Sequence, residues 1–336
     1  MAPSWLFWPK RKVELYNMKA IVIGGAGFIG SWCTTALLKD PSVEVTVFDN
    51  FSSGRQWHLA HLLSTGRLTI IRGDASDATA LTKAMQGHQM LFHFASNPDI
   101  ARAATEPTID FYQGTLLSQN IFESARLSKV ARVVYASGSG VFGDNAEKVF
   151  TEADFSPCPT STYAASKAAG ETLLSSYSAM FGLEGLTFRF ANVVGPNQTH
   201  GVAYDFIRRL KENPNQLQVM GNGTQTKSYI HVDDVVSGLL HFIKSFPGAY
   251  NHFNLTTDDN LTVRQIADMV IEEMGLINVN VKYGTSDRGW SGDVPRIRFS
   301  SDKIKRHGWA PTHNSTGAMR ASIRGMLANL QNGLMS

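Results

Sequence analysis

Residues Lys19 to Gly30 read Lys-Ala-Ile-Val-Ile-Gly-Gly-Ala-Gly-Phe-Ile-Gly, an apolar, β-branched run that breaks into glycines and resumes as the helical pattern Phe28–Lys39. That order dictates a strand, a tight turn and a helix N-terminus. Gly25, Gly27 and Gly30 fit G-x-G-x-x-G, and Gly24, Gly27 and Gly30 fit the related G-x-x-G-x-x-G. In either register the backbone can approach a pyrophosphate closely and offer it the unpaired N–H groups that open a helix. A dinucleotide is therefore the expected guest, held at Gly24, Gly27, Phe28, Ile29 and Gly30. The competing reading is a glycine turn without a ligand, and the strand and helix pattern C-terminal to the turn weighs against it.

The next strand, Glu44–Phe48, runs into Asp49, nineteen positions past Gly30. An acidic side chain there can take both ribose hydroxyls of an adenosine half, and it repels a 2′-phosphate. NAD is favoured over NADP, with Arg55 the one nearby base that could soften the preference. Strand and helix patterns then alternate: Leu68–Arg72 and Ala78–Met85, Met90–Phe94 and Thr108–Leu127, Arg132–Ala136 and Ser161–Phe181, then Leu186–Phe190. Short apolar strands alternating with helices of ten to twenty residues imply parallel β-α units with right-handed crossovers. The fold class expected is α/β, a Rossmann-type doubly wound parallel sheet with a smaller C-terminal substrate lobe. Asn50, Asp74 and Ala95 fall at the carboxyl edge of that sheet, where such folds bind ligands.

Past Asn192 the rhythm loosens into Gly-, Pro- and Asn-containing segments, with further helical patterns at Val232–Ser245, Thr262–Met274 and Thr316–Asn332 and a strand-like Val279–Tyr283. The division expected is an N-terminal extension at 1–17, a dinucleotide-binding domain at 18–192 and a mainly substrate-binding lobe at 193–336, some of whose segments return to the first domain.

Composition narrows the classes. A net charge of +3 in 336 residues is too weak to argue for nucleic acid, and the one basic cluster, Pro9-Lys10-Arg11-Lys12, lies outside the folded pattern. Two cysteines, Cys33 and Cys158, give neither a disulfide framework nor a metal-ligand spacing, which suits a reducing cytoplasm and no metal. No apolar stretch approaches the about 20 residues needed to span a bilayer. The patch Trp5-Leu6-Phe7-Trp8 precedes its basic residues instead of following them, unlike an export signal.

Tyr163-Ala164-Ala165-Ser166-Lys167 places a phenol and an ammonium four apart at the start of a helix, on one face. A phenol with pKa about 10 is a poor base at neutral pH, and lowering it by about three units takes roughly 4 kcal/mol of preferential stabilisation of the phenolate. A neighbouring Lys⁺ and a positive nicotinamide ring are groups that can supply it.

These residues together resemble the extended short-chain dehydrogenase/reductase family, in particular its sugar-nucleotide branch of UDP-glucose 4-epimerase-like enzymes. The resemblance covers nearly all of residues 18–312. It rests on Gly24 to Gly30, Asp49-Asn50, Gly73-Asp74, Phe92-His93-Phe94-Ala95, Gly114-Thr115, Tyr163 with Lys167, Arg189-Phe190-Ala191-Asn192, Gly195-Pro196 and Tyr229-Ile230-His231-Val232-Asp233-Asp234. It implies that Tyr163 removes a proton from a sugar hydroxyl while NAD takes the hydride from the same carbon, and that return of the hydride to the other face inverts that centre. It implies further that Lys167 holds the nicotinamide ribose, that Asp74 binds adenine, and that Asn192, Lys227 and Arg288 hold the nucleotide diphosphate. A homodimer built on Thr108–Leu127 and Ala164–Phe181 is usual in the family. Leu116, Leu117, Ile121, Leu173, Leu174 and Met180 are its candidate contacts.

The chain departs from the family pattern in Ala136-Ser137-Gly138-Ser139-Gly140-Val141-Phe142-Gly143. Gly138 stands where Ser or Thr is usual, so the auxiliary hydroxyl must come from Ser137, Ser139 or water. Phe142 replaces a Tyr, and Phe111 stands where an Asn is usual before Gly114-Thr115. The acids that related dehydratases and decarboxylases carry just before that Val are absent at Ser139-Gly140. The leading expectation is an NAD-dependent epimerase of a nucleotide-diphosphate hexose, at C4 of a UDP-hexose, through a transient 4-keto sugar. The alternatives are an NAD(H)-dependent oxidoreductase of a keto-sugar nucleotide or other alcohol, and a non-catalytic NAD-binding regulatory protein.

Overall fold

The computed structural model describes residues 17–156, 158–243, 246–289 and 292–334. All of the expected N-terminal extension but Asn17, its aromatic and basic patches included, lies outside them. Seven strands form the central sheet: β1 (Lys19–Ile23), β2 (Glu44–Asp49), β3 (Leu68–Arg72), β4 (Met90–His93), β5 (Arg132–Gly138), β6 (Glu184–Phe190) and β7 (Tyr250–Leu255), in the order β7-β6-β5-β4-β1-β2-β3. The ladders from β3 through β2, β1 and β4 to β5 are parallel, with Ile23 opposite Phe48 on one side and His93 on the other. Order reverses across β1, the topology at which open α/β sheets bind their ligands at the strand carboxyl ends.

The helices follow from their sequence signals. Helix α1 (Phe28–Leu37) starts at Gly27. Helix α2 (Ala78–Met85) is capped by the Asp77 carboxylate, which accepts from Thr79 N and Ala80 N. The expected helix Thr108–Leu127 differs from a regular one: Phe111–Leu116 is a π turn that leads into α3 (Leu117–Leu127). A Cβ on Gly114, within that turn, would lie 2.5 Å from Ser166 Oγ, so the π turn sits hard against α4 (Thr162–Phe181). Sequence periodicity carries no signal for such a bulge.

The described residues divide into two compact units, one drawn from positions up to 137, from 165–188 and from 239–253, the other from 138–164, from 189–238 and from positions after 253. Residues 138–164 fall in the second unit, and 239–253 return to supply the edge strand β7. The first unit's core holds Ile21, Ile23, Phe48, Leu91, Phe122, Tyr135 and Leu174.

In the second unit, α5 (Val202–Glu212), α6 (Val263–Glu273) and the closing helix Ser315–Gln331 supply much of an apolar cluster around Ile207, Leu217, Ile266 and Ile323. Thr262 and Gln265 form a reciprocal capping box on α6. Short parallel pairs join Asn192–Val194 to Tyr229–His231 and Gln216–Val219 to Asn280–Tyr283. Among the described residues no helix is long and apolar enough to cross a membrane, and no cluster of His, Cys, Asp and Glu could hold a metal ion.

Candidate active site

In the first unit, the turn between β1 and α1 shows why its residues are glycines. Gly24 has φ +79°, and a Cβ on it would lie 2.8 Å from Ala95 N. A Cβ on Gly30 would lie 2.2 Å from Gly24 O, inside backbone that has nowhere to go. Gly27 N donates to Gly24 O at 3.2 Å and opens α1, whose first turn holds no acidic side chain to oppose an anion. The first-turn amides of Phe28 and Ile29 are left for a ligand or water, as at any helix start. Gly25 is closely packed as well, since a Cβ on it would lie 2.7 Å from Val47 Cγ2, whereas one on Gly27 would lie 3.2 Å from Gly24 O.

Asp49, at the end of β2 and buried, accepts from Ala26 N at 2.8 Å through Oδ2 and from Phe51 N at 2.7 Å through Oδ1. Burial pushes its carboxyl above the usual range, and these backbone bonds pull it back. Phe51 is held at φ +60° with the Arg72 guanidinium 5.5 Å from its ring. Asn50 Nδ2 donates to Asp74 Oδ2 at 2.9 Å; this bond, with those from Ser76, holds the Asp74 carboxyl below its ordinary range. Arg55 folds onto its own loop, donating to Ser53 O and Gly54 O, so its guanidinium is occupied there.

Helix α4 reads the end of β5. Lys167 is buried and donates from Nζ to Ala136 O at 2.9 Å, 5.4 Å from the centre of the Tyr135 ring. Burial lowers its pKa to about 8 against the opposing pull of the Asp110 carboxylate. Asp110, itself buried, accepts from Asn97 Nδ2 at 2.9 Å. One turn beyond Lys167, Glu171 Oε1 accepts from Ser137 Oγ at 2.5 Å. The Ser137 hydroxyl, one of the two candidates for the auxiliary hydrogen bond, is thus directed at a buried carboxyl group. Tyr163 lies one turn before Lys167 on the same helix.

In the second unit, Gly138 is extended, at φ −153° and ψ 166°, and a Cβ on it would meet nothing within 4 Å. Ser139 opens the short 3₁₀ turn Ser139–Phe142 that comes next. The Phe142 ring is buried in a stack, 4.9 Å from Phe150 and 5.5 Å from Phe299, with the Arg189 guanidinium 5.0 Å away. A ring without a hydroxyl suits that packing. Lys227 and Arg288 converge on Asp293: Lys227 Nζ lies 2.5 Å from Asp293 Oδ1, and Arg288 donates to Asp293 O and to Asp144 Oδ2, the latter at 2.6 Å. Asn192 Nδ2 donates to Ser228 O, beside Lys227, at 3.3 Å.

The sequence model of the NAD dependent epimerase/dehydratase family matches residues 20–256. The chain belongs to that family. Among its relatives, a UDP-glucose 4-epimerase of Mycolicibacterium smegmatis is 30% identical over 303 residues, covering 88% of this chain and 94% of that protein. A dTDP-glucose 4,6-dehydratase of Streptomyces griseus is 27% identical over 308 residues, covering 90% and 92%. A solved UDP-galactose 4-epimerase superposes with TM-score 0.83 at 35% identity, over 93% of this chain and 99% of that one.

The NAD dependence of the epimerase/dehydratase family fits the residues present. Gly24 and Gly30 leave no room for a side chain where a dinucleotide's backbone contact is needed, and a carboxylate stands at the end of β2. Sequence reasoning missed Glu171, Asp110, Asp144 and Asp293. Glu171 was open to discovery, since Tyr163, Lys167 and Glu171 fall at i, i+4 and i+8 of one helix. The other three give no local signal: Asp110 meets Asn97 across 13 positions of chain, Asp293 meets Lys227 across 66, and Asp144 meets Arg288 across 144.

Proposed function

We propose that the chain is an epimerase of a nucleotide-diphosphate sugar, inverting C4 of a UDP-hexose through a transient 4-keto sugar. The observation that carries this reading is Lys167, a buried cation tethered to Ala136 O one helical turn from the only phenol in its motif. With its pKa at about 8 it remains mostly charged at neutral pH, which favours the Tyr163 phenolate. Tyr163 then accepts the proton of the sugar hydroxyl at its phenol oxygen and later returns it. Ser139, not Ser137, donates the auxiliary hydrogen bond to the sugar oxygen. Lys227 and Arg288 exchange Asp293 and Asp144 for diphosphate oxygens, with Asn192 beside them. Asp49 and Asp74 hold the adenosine half, Ala95 and Asn50 line it, and Lys167 holds the nicotinamide ribose. NAD, when bound, supplies acceptance and return of the hydride.

Eliminating water needs an acid to protonate the departing hydroxyl, and Ser139-Gly140 offers none, which favours epimerisation over the dehydration that the Streptomyces griseus relative is named for. The test is incubation of the purified protein with UDP-glucose, UDP-galactose, UDP-glucuronate and dTDP-glucose, followed by mass analysis. A product of unchanged mass supports the proposal. Loss of one water indicates a dehydratase, stoichiometric change of NAD an oxidoreductase, and NAD binding without turnover a regulatory protein.

We also propose a homodimer through the first unit's helices. Of the apolar positions expected to carry it, Leu117, Ile121 and Leu174 are buried within their own chain, whereas Leu116 and Met180 are exposed. Phe111, Tyr112, Leu127 and Phe181 join them as exposed apolar side chains on the same segments. Light scattering at micromolar concentration should give twice the chain mass, and a clean monomer mass would refute it.

A further inference from the structure

The two peptide groups that flank Ala26 are held by groups far away in sequence. Its N–H donates to Asp49 Oδ2 at 2.8 Å, and its carbonyl accepts from Arg55 N at 3.0 Å and lies 2.8 Å from His58 Nδ1. A Cβ on Gly54 would lie 2.8 Å from Ala26 Cβ, so the segment Gly54–His58 is seated directly on the glycine turn. A carbonyl oxygen only accepts, so Nδ1 carries the ring proton. Nε2 is buried without a partner, in a residue 1% exposed. A second proton there would have no acceptor, so the ring is neutral, and burial together with the Arg55 charge lowers its pKa in agreement.

The Ala26 carbonyl and the Gly27 N–H belong to one peptide plane, and that N–H makes the turn's bond to Gly24 O. Resting on the NAD-binding reading of this turn, we propose that His58 is a positioning residue for the dinucleotide site: it locks the Ala26–Gly27 peptide plane and thereby fixes the start of α1, from which the Phe28 and Ile29 amides are offered to the cofactor.

Calorimetric titration of NAD into the full-length protein tests this with two variants. H58F keeps an aromatic ring but removes the donor, leaving only Arg55 N on the carbonyl; NAD affinity should fall about fivefold to tenfold, as for one lost hydrogen bond. H58N restores an N–H donor near the Nδ1 position and should bind within about twofold of wild type. Unchanged affinity in H58F, or an H58N as weak as H58F, overturns the proposal. An independent check that needs no variant is the ring tautomer of wild-type His58 by ¹⁵N NMR at pH 7, where the Nδ1–H form is expected and the Nε2–H form would overturn it. Failure of wild type itself to bind NAD would fall on the proposed function, whereas the tautomer bears on His58 alone.

Discussion

Two glycine-bearing segments, Gly24 to Gly30 after β1 and Gly138 to Gly143 at the end of β5, use the residue for different reasons. In the first, the backbone requires it: a left-handed φ at Gly24 and a 2.2 Å clash at Gly30 exclude any side chain. In the second, Gly143 has φ +74° and a Cβ on Gly140 would lie 2.9 Å from Ala164 Cβ, yet Gly138 is extended in open space. The fold therefore demands glycine at Gly140 and Gly143 but makes no demand at Gly138. What is absent there is chemical, a hydroxyl.

The largest expected effect separates chemistry from binding. Tyr163→Phe should lower kcat by about 10²–10⁴, the range for loss of a general acid-base group, while NAD stays bound. Near wild-type turnover would remove the mechanism. Next, Lys227→Met should raise KM for the nucleotide sugar by roughly tenfold or more, as for a charge-assisted bond of about 1.5–3 kcal/mol, and leave the NAD titration unchanged. A parallel loss of NAD affinity would show that the two sets of residues are not separable.

The glycine contrast itself is tested by Gly30→Ala against Gly138→Ala. The first should weaken NAD binding by about tenfold or more and lower Tm, as a backbone clash requires; the second should leave folding stability within about 0.5 kcal/mol. Equal melting temperatures for the two would collapse the distinction between the segments.

The smallest effect is on pH. Burial pushes His58, His88, His93 and His231 below their ordinary pKa, so the native chain binds fewer protons than the unfolded one. Stability from these groups is complete above about pH 6.5 and declines as pH falls below it. Three of the four lie in the first unit, so its melting should be the more acid-sensitive. The raised Asp49 carboxyl acts with the opposite sign, in the lower window beginning near the ordinary carboxylate pKa. Scanning calorimetry at pH 7.5, 6.5 and 5.5 should show a falling Tm, and a flat one would contradict it.

The parallel strands and their helices were legible because apolar runs and glycine or Asp punctuation are local signals. The positions of Asp49 and the Tyr163–Lys167 pair were legible for the same reason, since each is set by spacing along one or two elements. The π turn at Phe111–Leu116 was not, because it answers to Ser166 on another helix. Nor was the commitment of Ser137 to Glu171, or of Lys227 and Arg288 to Asp293 and Asp144, because ion pairs and buried hydrogen bonds depend on which distant side chains the fold brings within reach. Composition changes near Asn192, but the strand that completes the first unit is β7, at Tyr250–Leu255.

That late edge strand governs how the chain can be made. During synthesis the first six strands emerge by Phe190, yet the seventh leaves the ribosome only some sixty residues later. Until then β6, buried along nearly its whole length in the finished sheet, presents an open row of backbone donors and acceptors to any other strand it meets. A product ending near residue 192 keeps that edge permanently bare and should aggregate, so the nascent chain is most in need of a chaperone between Phe190 and Leu255.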